Sequence, residues 1–115
     1  MSDTRLTEIL GHMAQAAALA CSYVEGMSKE DFLADSRTQQ AVIMNLIIIG
    51  EVAAKIIQDH AALVDERPDI PWRSMKGMRN RIAHGYFEID LGIVWDTVQA
   101  DLPGLHILLS RDVKP

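Results

Sequence analysis

The amino-acid sequence predicts an all-α fold, an up-and-down four-helix bundle with one additional short helix. Three observations lead to this expectation. Apolar residues recur at steps of three and four along the chain. Strict apolar–polar alternation, the mark of a half-buried strand, is absent, and the β-branched residues sit inside helix-period runs. The connections between runs are short, as in antiparallel bundles. A chain of 115 residues has room for one core, so a single helical domain over 1–115 is expected.

The first helix is expected from about Thr4 to Glu25. Leu6, Ile9, Leu10, Met13, Ala17, Ala20 and Val24 form its apolar stripe, which Met27 continues. Gly26 loosens its end, and Ser28 with Asp31 resembles a capping box for a short second helix. The third helix opens at "SRTQQAV", with Ser36 as N-cap and Gln39 three residues on, and runs to about Asp59. Its apolar residues, from Val42 to Ile57, point in nearly every direction. A helix that is apolar all round is buried all round, and one small core does not easily cover every side of it. A second copy of the chain on one face is the simplest account, so a homodimer is expected. Asn45, Gly50, Glu51 and Lys55 interrupt the same run, which is therefore not expected to span a membrane.

"HAALVDERPDI" reads as a loop. Pro71 suits the first position of a fourth helix that ends near His84, ahead of Gly85. Asp90 is the expected cap of a fifth helix beginning at Leu91. Pro103 either kinks that helix or opens its last segment.

Charge and cysteine content bound the function classes. A net charge of −5 argues against a protein that coats nucleic acid nonspecifically. The distribution is uneven, however: Arg67, Arg73, Lys76, Arg79 and Arg81 cluster with a single acid, Asp69, among them. Cys21 is the single cysteine, which excludes an internal disulfide and fits a reducing compartment. Its alanine-rich surroundings suggest an inert buried thiol. "MSDTRLTEIL" carries no basic stretch followed by an apolar one, so no secretory signal is read and a cytoplasmic location is expected.

The informative segment is "MKGMRNRIAHGYFEID", residues 75–90. On a helical wheel Trp72 lies about 20°, Met75 and Ala83 about 40°, and Ile82 about 60° from Arg79. Arg79 thus projects from the apolar side of its own helix, while Arg73, Lys76 and Asn80 fall on the adjoining polar side. A guanidinium in apolar surroundings needs an anion, because an unpaired buried charge is costly. Glu51 on the third helix is one possible partner, although it also stands four residues before Lys55 and would pair with it there. A ligand phosphate, gripped by two parallel hydrogen bonds, is the other. His84 follows Asn80 by four positions, within reach of its amide, but a histidine is also favoured by the dipole at any helix C-terminus. Arg79 and His84 lie about 140° apart on the wheel, so they converge only if His84 swings out or two copies of the helix face each other. Tyr86 is either a packing residue or a second polar member of the site. Glu8 and His12 share a face but lack a third metal ligand, and His60 and His106 read as surface or packing residues.

Arg79-Asn80-Arg81-Ile82-Ala83-His84-Gly85-Tyr86 resembles the R-x4-H-x-Y signature of the HepT-like branch of the HEPN superfamily. "YVEGMSKEDFLAD" and "TQQAVIMNLIIIGEVAAK" resemble that family's landmarks in the same order, although Met44 and Ile48 stand where charges are usual. The resemblance implies a helical ribonuclease without a cofactor or metal, the toxin of a toxin–antitoxin pair. It implies a homodimer whose two motifs meet in a cleft, with Arg79 and His84 catalytic and Asn80 supporting. It further implies an MntA-like minimal nucleotidyltransferase as antitoxin, which in some pairs transfers AMP to the tyrosine, here Tyr86. Two non-catalytic readings stand beside it. In one, the chain is a nucleotide- or partner-binding subunit of a nucleotidyltransferase complex. In the other, it is the substrate-binding subunit of a nucleotidyltransferase that modifies a different molecule.

Overall fold

A computed structural model describes residues 2–113, and the side chains of 4–109. Among the described residues there are seven α-helices, one 3-10 turn and no strand. Helix α1 spans Ser2–Tyr23, α2 Lys29–Leu33, α3 Ser36–Asp59 and α4 Ala61–Glu66. Helix α5 spans Trp72–His84, a 3-10 turn follows at Tyr86–Glu88, and α6 spans Leu91–Ala100 and α7 Leu102–Val113. The all-α expectation holds. The count of short elements is larger than the single one expected.

Capping explains most of the boundaries. Gly26 has φ +80, the left-handed conformation that closes α1 without a Cβ clash. Ser28 and Asp31 form the expected capping box: the Ser28 hydroxyl accepts from the Asp31 N–H, and the Asp31 carboxylate accepts from the Ser28 N–H. At α3 the cap is Asp35, not Ser36, because the Asp35 carboxylate accepts from both the N–H and the hydroxyl of Thr38. Gln39 has a different task from the one its spacing suggested. Its amide donates to the carbonyls of Phe32 and Leu33 at 2.9 and 3.1 Å and ties α2 onto α3.

The segment expected as a loop contains α4, which Val64 anchors to the core. Pro71 is the cap of α5 rather than its first residue. Asp90 caps α6 through the N–H groups of Gly92 and Ile93. Asp101 separates α6 from α7, so Pro103 lies in the first turn of a distinct helix, where its missing N–H costs nothing.

The long helices pack in the order α5–α3–α1–α7, with α6 against α7 and α2 joining α3 to α6. This order accounts for much of the apolarity of α3, which is buried by α1 on one side and by α5 on another. Val42, Leu46, Ile49, Ala53 and Ile56 are the core of that double contact, and Phe32 packs against Trp95 with ring centroids 5.5 Å apart. By length and composition α3 would also suffice to cross a bilayer, and this packing is the simpler reason for its composition. One part of it is not covered. Met44 is 57% exposed, and Ile47, Ile48, Val52 and Ile57 are half-buried. Cys21 is also half-buried rather than enclosed, and burial pushes its thiol pKa up, consistent with an unreactive group.

Candidate active site

The site is built where α5 crosses α3. A Cβ added to Gly50 would overlap the Arg79 Cβ and come 2.8 Å from the Met75 carbonyl oxygen. Glycine is therefore what allows the two helices to approach at this level. The Arg79 side chain is left 24% exposed, on the apolar side of α5 as its wheel position predicts. Trp72 and Ile82 beside it are buried, while Ala83 is exposed.

Glu51 is the anion that stands near Arg79. Its Oε1 lies 3.8 Å from Arg79 Nη1, beyond hydrogen-bond length, and Glu51 is itself 60% exposed. The Arg79 Nε is buried and has no hydrogen-bond partner. A guanidinium carries five donors, and this arrangement leaves it attracted but unsaturated. Glu51 makes no ion pair with Lys55 among the described residues, so the local i,i+4 alternative is not realised.

The groove that Arg79 faces encloses about 790 Å³ and also receives Arg5, Glu8 and His12 from α1 and Glu51, Lys55 and Asp59 from α3. Glu8 and His12 thus belong to the same groove. No three His, Cys, Asp or Glu side chains converge as a metal site among the described residues.

His84 closes α5 and is exposed. It is not on the Arg79 groove, as expected for residues about 140° and about 7.5 Å apart along one helix. Asn80 is half-buried and makes no hydrogen bond to His84 among the described residues, so the expected tautomer-fixing contact is absent. Gly85 then turns the chain at φ −152 and ψ 59, and its N–H still donates to the Arg81 carbonyl. Tyr86 follows on the 3-10 turn, 45% exposed, its ring edge-on to Phe87. Arg67 is removed from the basic cluster by a bidentate pair with Asp69, at 3.0 and 2.8 Å. That guanidinium holds the Asp69 carboxyl below its usual pKa.

The model of the HepT-like family, described as "Ribonuclease HepT-like", matches residues 13–111. The chain belongs to the HepT-like ribonuclease family. It is 41% identical over 98 residues to "Probable ribonuclease HepT" of Thermococcus cleftensis, covering 85% of this chain and 86% of that one. A protein of Methanocaldococcus jannaschii named "Putative RNase" is 35% identical over 81 residues, 70% of this chain and 64% of its own. Another so named, from Caldanaerobacter subterraneus subsp. tengcongensis, is 30% identical over 97 residues, 84% of each chain. No solved structure matches.

In this HepT-like ribonuclease a single copy does not bring Arg79 and His84 together. Two residues gain importance that the sequence reading passed over. In the sequence Gly50 is an interruption of an apolar run, and its adjacency to Glu51 in a buried helix is the signal for its role. Phe87 is marked in the sequence only as an aromatic beside the motif tyrosine.

Proposed function

We propose that this HepT-like ribonuclease is the toxin of a toxin–antitoxin pair, an endoribonuclease whose active site is completed by a second copy of the chain. The observation that carries the reading is Arg79, a guanidinium with a buried, unpartnered Nε and only a distant carboxylate, facing an open groove. An unsaturated guanidinium of this kind is suited to donate hydrogen bonds to the oxygens of a phosphate.

RNA brings its own nucleophile, the 2′-hydroxyl. His84 of one copy takes the proton from that hydroxyl, whose oxygen attacks the adjacent phosphorus. The second copy's His84, protonated, gives its proton to the departing 5′-oxygen. The products are a 2′,3′-cyclic phosphate and a 5′-hydroxyl. Arg79 stabilises the charge that accumulates on the phosphorane oxygens. The need for both a base and an acid explains why each helix supplies one histidine, and this chemistry requires no metal. Asn80, without a bond to His84 in the single chain, would contribute from the polar flank of the cleft.

The antitoxin in this reading is a minimal nucleotidyltransferase. Tyr86 is exposed enough for its phenolic oxygen to attack the α-phosphate of ATP, releasing pyrophosphate. The attached AMP places bulk and negative charge next to His84, where substrate phosphate must sit, and repels it.

The test is incubation of the purified protein with total RNA in EDTA, followed by analysis of the new ends. Cleavage leaving cyclic phosphates, lost in His84→Ala, is the expected result. A His84→Ala protein that cuts as fast as the parent removes the catalytic assignment. Binding of a nucleotidyltransferase without any cleavage supports a non-catalytic subunit instead.

A further inference from the structure

Phe87 stands 98% exposed, three residues beyond His84. Its backbone is held by the 3-10 turn: the Glu88 N–H donates to the Gly85 carbonyl at 2.9 Å and the Ile89 N–H to the Tyr86 carbonyl at 3.4 Å. The Tyr86 ring meets it edge-on, with centroids 5.6 Å apart and planes at 87°, which braces the ring and leaves Phe87 open to solvent. Beside the two rings lies a cleft of about 160 Å³ with Ile43, Ile89 and Leu91 in its lining and Gln39 and Gln40 at its polar side. The Gln39 amide nitrogen is committed to α2. Gln40 is exposed, and its amide makes no hydrogen bond among the described residues.

We propose that Phe87, Tyr86 and Gln40 form a nucleobase subsite that stacks one unpaired base of the RNA next to the bond being cut. The proposal rests on the ribonuclease reading above and adds to it the part of the substrate that is held. A single aromatic ring with an adjacent amide matches one flat base: the ring supplies stacking, and the amide offers a donor and an acceptor to the base edge. The same ring alone is far smaller than the roughly 800 Å² per partner that a stable protein interface buries. Stacking the base anchors the strand beside the bond being cut, equally in the bound substrate and in the transition state, so its loss weakens binding rather than the chemical step. A base in a duplex is already stacked and paired, so the subsite selects single strands.

Two measurements test this. In a His84→Ala background, Phe87→Trp adds an exposed indole to the existing Trp72 and Trp95, and its fluorescence is followed while oligoadenylate, oligouridylate or an RNA duplex is added. Quenching by the single strands and not by the duplex is expected, with no change in the protein that keeps Phe87. In the otherwise unaltered enzyme, Phe87→Ala should raise KM for a single-stranded oligonucleotide by about tenfold with kcat unchanged, and Phe87→Tyr should restore it. Gln40→Leu should alter the preference among bases. An unchanged KM in Phe87→Ala overturns the proposal. So does conversion of that variant to a monomer, which would make the ring a contact between subunits. If the parent cuts no RNA while quenching persists, the ribonuclease reading fails alone. Cleavage without quenching removes the subsite alone.

Discussion

Arg79 owes its place to a neighbour that has no side chain. Because a Cβ at Gly50 would overlap the Arg79 Cβ, Gly50→Ala forces α5 away from α3 or turns the arginine out of its groove. Overpacking of this kind costs about 1–3 kcal/mol. The expected outcome is a lower Tm together with a loss of RNA cleavage larger than the loss of folded protein. A fully active Gly50→Ala enzyme would show that the close crossing does not set the position of Arg79. In the proposed mechanism charge alone is also not enough. Arg79→Lys keeps the charge but loses the planar fork and the buried Nε, so it should behave nearly as badly as Arg79→Ala, with kcat down by about 10²–10³. Substantial rescue by lysine would indicate that a point charge is enough. The helical wheel made Arg79 visible as an oddity, since it lies between Trp72 and Met75 in angle. The wheel could not show that its Nε would be unpaired, because this depends on how far Glu51 stands across a helix crossing.

Helix α3 depends on events at its N-terminus, where α2 folds back on it. Asp35 caps it through the backbone N–H of Thr38, and this bond, ahead of the one to the Thr38 hydroxyl, lowers the Asp35 pKa below its usual 3.8. A carboxyl depressed by folding contributes stability that is present above pH 3.8 and is lost as the pH falls through the lower folded value. Asp35→Ala should therefore lower the Tm at neutral pH, and its Tm deficit relative to the parent should shrink in acid. A deficit that stays constant down the acid range would mean that the cap does not act through its charge. Phe32, fully buried beside Trp95, is the other fastening of α2, and Phe32→Ala should cost about 3–5 kcal/mol in urea unfolding. The helices themselves were legible in the sequence because their apolar periods are long. Their ends were less so: Asp35 and Ser36 are both competent caps, and only the direction of the chain leaving α2 decides between them. Helix α4 was hidden because six residues ending in Val-Asp-Glu carry too short a period to distinguish from a polar loop. It forms because Val64 finds a place in the core.

At the scale of the molecule, the distribution of exposed apolar surface and the separation of Arg79 from His84 bear on the same question. Met44 and Ile48 stand one helical turn apart on the face of α3 that neither α1 nor α5 covers completely, and Met44 is exposed in the single chain. Exposed apolar side chains on an uncovered helix face favour a contact with a second copy. Met44→Asp should then leave a folded chain of 12.8 kDa in light scattering, where the parent is expected at twice that mass, and should abolish RNA cleavage without unfolding the protein. A shared cleft makes a stronger demand on mixtures. If each cleavage event uses the His84 of both copies, a dimer containing one His84→Ala chain is inactive. Equal amounts of the parent and His84→Ala, unfolded and refolded together so that the subunits randomise, should give about a quarter of the activity of the same total amount of parent chain. Independent sites would give about half. A value near half, with the mixed dimers shown to form, would restore a complete active site to each copy and require His84 to reach Arg79 by movement of the α5 end.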